Sequence, residues 1–200
     1  MNKCVVYVHG KGGNAREAEN YISLFTGYDV IGFDYRAQNP WDAKVEFANF
    51  FTKLAAKYEQ ISIVANSIGA FFAIHALQDK PVTEAYFISP IVNMEKLIEN
   101  MMQQANVTEE NLQQKGSITT DFGEVLSWKY LTWVRKHRIK WNIPTHILYG
   151  SNDNLQSLKD IQTFAAEFSA DVTVMDDGEH WFHTEEQMHF LSDWIKERKM

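Results

Sequence analysis

The sequence predicts an α/β fold in which a mostly parallel sheet is covered by helices on both faces. Two observations support it. Apolar runs alternate with amphipathic stretches along most of the chain, and the strand-like runs are continuously apolar instead of alternating with polar residues. Strands that are buried on both faces have this pattern. Because 200 residues suit one ordinary core, we expect a single domain over residues 1–200.

In the first half of the chain, strands and helices alternate regularly. Continuous apolar runs predict three strands: Cys4–Val8, Val30–Phe33 and Ile61–Ala65. Apolar residues at helical spacing predict three helices: 14–25, 41–58 and 67–77. The second helix follows Pro40, whose fixed φ suits a first helical turn. Its inward face is predicted to consist of Val45, Ala48, Phe51, Leu54 and Ala55.

The second half repeats this alternation but contains an insertion. Three further strands are predicted: Ala85–Ile88, His146–Tyr149 and Val172–Met175. A helix is expected at 155–168, and a capping box at 184–187 predicts a last helix. The inward residues of the last helix are predicted to be Met188, Leu191, Trp194 and Ile195. No strand is evident within about 91–142, where helical pieces at 94–104, 108–115 and 121–137 predict a helical cap insertion over one end of the sheet.

Composition excludes several classes of protein. The formal charge of -7 argues against wholesale nucleic-acid binding, which needs a basic face. No apolar run approaches the roughly 20 residues that span a bilayer, so we expect no membrane insertion. A single cysteine and the absence of a signal-peptide pattern suggest a cytoplasmic protein. An acidic surface without an evident apolar strip favours a monomer or a weak homodimer.

Ser67 stands where a predicted strand meets a predicted helix. Ala65 and Gly69 supply small residues two positions before and after it, as a sharp turn requires. The pentapeptide resembles the G-x-S-x-G turn of the α/β-hydrolase family, with alanine in the first position. The resemblance covers nearly the whole chain apart from the insertion, and it implies that Ser67 is a nucleophile. The competing interpretation is that Ser67 only caps the helix.

Two later loops supply the partners that a serine nucleophile needs. Asp153 follows the fifth predicted strand in a loop resembling the family's G-x-x-D, and His180 follows the sixth in a loop resembling G-x-H-x-F. The resemblance implies that His180 is the general base and that Asp153 orients it. Asp153 could instead only cap a helix, and Asp176 and Asp177 are nearer to His180 in sequence. Five other histidines are expected in hydrogen-bonded core or surface positions: His75, His137, His146, His183 and His189.

The glycine-rich segment Gly10–Gly13 follows the first predicted strand and permits two interpretations. Gly10, Gly12 and Ala15 match the dinucleotide pattern G-x-G-x-x-A, and an acidic residue, Asp34, lies near the expected distance for a ribose contact. This pattern would indicate a nicotinamide- or flavin-dependent oxidoreductase. By resemblance to the hydrolases, the segment is instead an oxyanion loop. The backbone donors would then be Ile68 and Lys11, with Gly12 as the fallback.

We therefore expect a serine hydrolase that cleaves a carboxylic ester or thioester of a small molecule, without a metal or cofactor. Candidate pocket residues are His9, Asn66, Met94, Trp133 and Trp181. The resemblance also suggests that Asp34 and Arg36 form a structural D-x-R loop. A non-catalytic hydrolase-fold binding protein, or acyl transfer to an acceptor other than water, stays open. Another open question is whether the basic run Arg135–Lys140 attracts anionic substrates.

Overall fold

The computed structural model describes residues 2–199, and it confirms the predicted α/β class. In chain order the strands are β1 (Lys3–Val8), β2 (Asp29–Phe33), β3 (Gln60–Asn66), β4 (Glu84–Ile88), β5 (Ser117–Thr119), β6 (Val125–Ser127), β7 (Thr145–Gly150) and β8 (Asp171–Met175). The α-helices are α1 (Pro40–Ala55), α2 (Ile68–Ala76), α3 (Met94–Gln104), α4 (Glu109–Lys115), α5 (Trp128–Lys136), α6 (Leu158–Phe168) and α7 (Glu185–Arg198). A 3-10 helix occupies Ala15–Tyr21. Within the described residues, no helix has the length and apolar character needed to cross a bilayer.

Six parallel strands form the main sheet in the order β2-β1-β3-β4-β7-β8. The chain first moves from β1 to β2, and then returns past β1 to β3 and continues away on that side. Strand order therefore changes direction between β1 and β3. In open α/β sheets this is where the loops at the carboxyl ends of the strands diverge and leave a crevice for ligands.

Each face of the sheet is covered by apolar side chains. On one face, Tyr86 and Ile88 of the sheet share a core with the 3-10 helix and with Leu191 and Trp194 of α7. On the other, the rings of α1 and α2 pack together with Phe33, and the rings concerned are Phe47, Phe50, Phe51 and Phe72.

The predicted inward face of α1 is wrong in part. Val45 is 63% exposed, whereas Ala43, Phe47, Phe51 and Leu54 are buried. The predicted face that contains Val45 and the observed face that contains Phe47 both repeat at helical spacing, so periodicity alone could not distinguish them. Burying Phe47 beside Phe51 removes more apolar area from water than burying Val45, and this larger gain selects the face.

The predicted helix at 14–25 is a shorter 3-10 helix followed by turns. Its register buries Ala18, Tyr21 and Leu24, while Ile22 is 58% exposed. A 3-10 helix has three residues per turn, so positions three apart share a face. Of the apolar positions 15, 18, 22 and 25 that suggested an α-helix, 18 and 25 are buried, and 22 is not. The capping box of Asn14 with Glu17 fixes the start of this helix.

The described residues fold into two compact units, one formed by residues 2–92 with 140–199 and the other by Asn93–Ile139. Within the second unit α3 and α4 match the prediction, but the expected helix starting at Asp121 is wrong. A hairpin of β5 and β6 occupies that position, and α5 starts only after Ser127. Gly123 has φ +86 and the Thr120 hydroxyl binds the N–H and carbonyl of Glu124, so a tight turn forms where a helix was expected.

The basic run Arg135–Lys140 begins with an arginine that is already paired inside the second unit. Arg135 lies 2.6 Å from Glu95, 3.3 Å from Glu99 and 2.6 Å from Glu109. These carboxylates compensate its charge, so Arg135 contributes little to any attraction of anions by the run.

Candidate active site

The turn at Ser67 is sharp and its backbone is strained. Ser67 has φ +51 and ψ -122, directly between β3 and α2, and its N–H donates to the carbonyl of Ile88 at 3.0 Å. Its hydroxyl makes no capping hydrogen bond to the helix, which argues against the capping interpretation. A methyl group at Gly69 would lie 2.4 Å from the carbonyl oxygen of His9, so only glycine fits there. The strained turn directs the hydroxyl away from the helix.

Ser67, His180 and Asp153 form one continuous hydrogen-bonded chain. The distance from Ser67 Oγ to His180 Nε2 is 2.8 Å, and that from His180 Nδ1 to Asp153 Oδ2 is 2.7 Å. A carboxylate only accepts, so the ring proton belongs on Nδ1, and Nε2 keeps its lone pair for the serine O–H. The structure thus brings together all three side chains that the sequence predicted for catalysis.

Asp153 is held on both sides of its carboxylate. Oδ1 accepts the N–H groups of Leu155 at 2.8 Å and Gln156 at 3.1 Å within the same loop, while Oδ2 accepts from Nδ1–H of His180. The helix after this loop is capped by Ser157, so Asp153 is not its cap. Its side chain is fully buried, and that of His180 is 15% exposed. The competing carboxylates Asp176 and Asp177 are exposed.

The loops that carry Asp153 and His180 are in direct backbone contact. A methyl group at Gly150 would lie 2.4 Å from the carbonyl carbon of Gly178. Asn152 N–H donates to the carbonyl of Gly178 at 2.8 Å. Two glycines at this contact allow the loops to approach closely enough for the imidazole to reach the buried carboxylate.

The glycine loop after β1 lies beside the serine turn. A methyl group at Gly10 would be 3.2 Å from Ser67 Cβ, and Gly12 adopts φ +77. Ile68 begins α2, so its N–H belongs to the first turn, where helical N–H groups have no partner within the helix. The predicted oxyanion donors Ile68, Lys11 and Gly12 therefore belong to two adjoining segments, and their role stays a prediction.

The structure around the glycine loop differs from that of a dinucleotide-binding fold. The loop leads into a 3-10 helix of seven residues. The strand order β2-β1-β3-β4-β7-β8 also differs from the 3-2-1-4-5-6 order of the dinucleotide-binding fold. Within residues 2–199, no cluster of three or more histidine, cysteine, aspartate or glutamate side chains is arranged to hold a metal ion.

Sequence reasoning missed the groups that support the glycine loop from β2. The Tyr35 hydroxyl donates to the carbonyl of His9 at 2.7 Å, and the two rings stack at 4.2 Å. Glu46 accepts the N–H groups of Arg36 and Ala37, both at 3.0 Å. Asp34 and Arg36 are exposed, and the contacts that support this region are those of Tyr35 and Glu46.

Gln156 was also missed, although it links the acid loop to the segment after β4. Its buried side chain accepts the N–H of Val92 at 3.0 Å, and the Tyr149 hydroxyl donates to its carbonyl at 2.9 Å. The neighbouring residue Ile91 donates its N–H to the carbonyl of Ser67 at 3.2 Å. Positions 91 and 92 therefore connect the serine turn to the loop of Asp153.

The candidate pocket residues fall into different environments. Trp181 is 71% exposed and stacks on His183 at 4.4 Å. Asn66 is half-buried and donates to the Tyr7 hydroxyl at 3.0 Å. In the second unit, Met94 is buried at the start of α3, and Trp133 stacks on His137 at 4.1 Å. Whether any of these side chains contacts substrate stays a prediction.

Comparison with solved structures identifies the fold. Matches include α/β hydrolase domain-containing protein 10 from mouse (16% identity, TM-score 0.74, 100% of this chain and 90% of the other) and Est1E from Butyrivibrio proteoclasticus (15%, 0.73, 100% and 88%). A lipase-esterase related protein from Clostridium acetobutylicum also matches (16%, 0.65, 98% and 93%). No family model and no curated protein sequence matches the chain. The chain has the α/β-hydrolase fold, as its motifs indicated.

Proposed function

We propose that this chain is a serine hydrolase that cleaves a carboxylic ester or thioester of a small molecule through an acyl-enzyme intermediate. The single observation that supports this best is the pair of hydrogen bonds of 2.8 and 2.7 Å through His180. A serine hydroxyl is a weak nucleophile until a base accepts its proton, and an acid that holds the base in one tautomer completes the requirement. The esterase names among the structural matches agree with this chemistry.

In the proposed mechanism, Ser67 Oγ attacks the carbonyl carbon while His180 Nε2 accepts its proton. Asp153 stabilises the resulting imidazolium through Nδ1–H. The N–H of Ile68 and an N–H of the glycine loop donate to the developing oxyanion. His180 then protonates the leaving group, and a water molecule activated by the same imidazole releases the acyl group from Ser67.

A fluorophosphonate probe tests the nucleophile without knowledge of the substrate. We expect wild-type protein to be labelled on the peptide containing Ser67, and Ser67→Ala to lose labelling and ester turnover. The fold should persist, because the Ser67 hydroxyl contributes no helix cap. Turnover should fall by a factor of about a million, as when the serine of a triad is removed.

Ser89 provides a matched control for this experiment. It follows the neighbouring strand β4, has a positive φ of 43°, and donates its N–H to the next strand, as Ser67 does. Its buried hydroxyl has no hydrogen-bond partner among residues 2–199. Ser89→Ala should therefore keep full labelling. Labelling that survives in Ser67→Ala would contradict the proposal.

The substrate class can be narrowed with a panel of esters and thioesters. Short aliphatic acyl groups should be compared with feruloyl esters, because Est1E has also been solved with ferulic acid bound. Thioesters of the same acids would separate the two leaving-group classes. An absence of turnover on all of them, together with an absence of labelling, would favour the non-catalytic binding protein.

A further inference from the structure

A chain of hydrogen bonds connects the glycine loop to the serine turn from the side of the 3-10 helix. Glu17 Oε1 accepts the N–H of Asn14 at 3.0 Å, directly after the glycine loop. Glu17 Oε2 accepts the Tyr7 hydroxyl at 2.5 Å. The Tyr7 oxygen in turn accepts Asn66 Nδ2–H at 3.0 Å, and Asn66 immediately precedes Ser67. One carboxylate is thus linked to both segments that carry the candidate oxyanion donors.

Tyr7, the central residue of this series of hydrogen bonds, is buried and packed against a second ring. Tyr7 is 1% exposed, and its ring stacks on Tyr21 at 5.1 Å. Burial raises the pKa of Tyr7 above its usual value, and the Tyr21 and Glu17 groups raise it further. The phenol therefore stays protonated, so it donates to Glu17 and uses its lone pair for Asn66.

Glu17 and Asn66, at the two ends of this series of hydrogen bonds, both lie in tightly packed surroundings. A methyl group at Gly13 would lie 2.9 Å from Glu17 Oε1, so the backbone of the loop lies against the carboxylate. At the other end, Asn66 Oδ1 is buried without a hydrogen-bond partner among the described residues. An unpaired buried acceptor destabilises a fold, and an apolar side chain of similar size would avoid that cost. The amide at position 66 is therefore explained by the hydrogen bond that its Nδ2 donates, and not by stability.

We propose that Glu17 is a positioning residue that fixes the glycine loop relative to the serine turn through Tyr7 and Asn66. This inference rests on the proposed hydrolase function. Oxyanion donors act only when their N–H groups lie about 2.7–3.1 Å from the developing charge. Ile68 N–H and the glycine-loop N–H lie on separate segments, so a link between the segments keeps both donors aimed at one oxygen. Neither Glu17 nor Tyr7 needs to contact substrate for this effect.

Tyr7→Phe is the most direct test, because it removes one oxygen and keeps the buried ring. We expect kcat to fall about 10- to 100-fold while KM stays within about twofold, since misplaced oxyanion donors weaken transition-state binding. The affinity for an aryl boronic acid, which forms a tetrahedral adduct with serine, should fall by a similar factor. Glu17→Leu should behave in the same way, because it removes the acceptors of both the Asn14 N–H and the Tyr7 hydroxyl.

Tyr58→Phe is the matched control. Tyr58 also donates to a carboxylate, Asp29 Oδ2 at 2.8 Å, but Asp29 begins β2 at the opposite end of the sheet from Ser67. Its kcat, KM and boronic acid affinity should equal those of the wild type. If Tyr7→Phe matches this control, or raises KM with kcat unchanged, the positioning role is wrong.

Asn66→Leu gives a readout that a purely structural role would not produce. Because the leucine removes an unpaired acceptor, the melting temperature should stay equal or rise, while kcat falls as in Tyr7→Phe. A fall in both, or in melting temperature alone, would overturn the inference. Fluorophosphonate labelling of the wild-type protein distinguishes a failure of the positioning role from a failure of the proposed hydrolase function. If the wild type is labelled and the variants behave like the Tyr58→Phe control, only the positioning role is contradicted. If the wild type is neither labelled nor active, the hydrolase proposal itself is contradicted.

Discussion

Two histidines of this protein contact carboxylates at opposite ends of the same sheet. His180 follows β8 at the carboxyl end and pairs through Nδ1 with Asp153. His146 lies near the start of β7 and pairs through Nδ1 with Asp171, at the start of β8. The second ring nitrogen distinguishes them, since Nε2 of His180 faces the Ser67 hydroxyl and Nε2 of His146 faces Glu84 at 3.1 Å.

The partner of the second nitrogen determines which chemistry each imidazole can perform. A carboxylate facing each nitrogen favours a proton on both, and the hydrogen bond with Glu84 raises the pKa of His146 although burial opposes it. In its protonated form this imidazole has no lone pair to accept a further proton. At Nε2 of His180 a serine hydroxyl takes the place of the second carboxylate, and a hydroxyl, unlike a carboxylate, can donate its proton to that nitrogen. The same His–Asp contact is therefore a structural ion pair at one end of the sheet and a candidate general base at the other.

The largest expected difference is in turnover after removal of each imidazole. His180→Ala should lower kcat by about a million-fold, because removing the base of a triad costs nearly as much as removing the whole triad. His146→Ala should keep kcat and KM within about twofold, since its cluster lies at the opposite end of the strands. Steady-state kinetics on one ester, with circular dichroism to verify folding, makes this comparison. Similar losses in both variants would show that His146 acts on the site.

The two aspartates give the second comparison. Asp153→Asn should lower kcat by about 10,000-fold, because an amide in place of the carboxylate favours the wrong imidazole tautomer. Asp171→Asn should leave kcat unchanged, since Asp171 is half exposed and contacts His146 and Arg198 instead. The kcat of each variant should be measured beside its melting temperature. Asp153→Asn with wild-type kcat would remove Asp153 from the proposed mechanism.

The sequence predicted the three candidate catalytic side chains because each follows a recognisable strand. Ser67, Asp153 and His180 come directly after apolar runs, and in a parallel sheet all carboxyl ends lie at one edge. Small residues beside Ser67 added a local pattern. Topology placed the three segments at one edge, and the resemblance of each segment to a hydrolase motif selected the residues within them, which are up to 113 positions apart.

The supporting contacts could not be predicted in this way. The His146 cluster depends on register, with His146 opposite Tyr86 on one side and Asp171 on the other, and an apolar run does not define its register. Tyr35 and Gln156 contact backbone groups of remote loops through hydrogen bonds for which no sequence motif exists. Likewise, strands as short as β5 and β6 produce too little alternation to be distinguished from a helix.

The smallest expected effect is the pH dependence that His146 gives to stability. The hydrogen bond with Glu84 raises the pKa of His146, burial opposes it, and Asp171 raises it further, so the folded-state pKa lies above the usual 6.5. A raised pKa means that the folded state holds the proton more tightly, so the stabilisation is complete below about pH 6.5 and is lost as pH rises through the folded-state pKa.

Denaturant unfolding of wild type and His146→Gln from pH 5.5 to 9 should show a difference in the free energy of unfolding of about 1 kcal/mol at the acidic end. This difference is modest because the ion pair is partly exposed. The difference should shrink towards pH 9, and a constant or growing difference would mean that His146 is not held as a cation. Ester turnover at each pH should stay the same in both proteins, because the imidazole that serves the proposed reaction is His180.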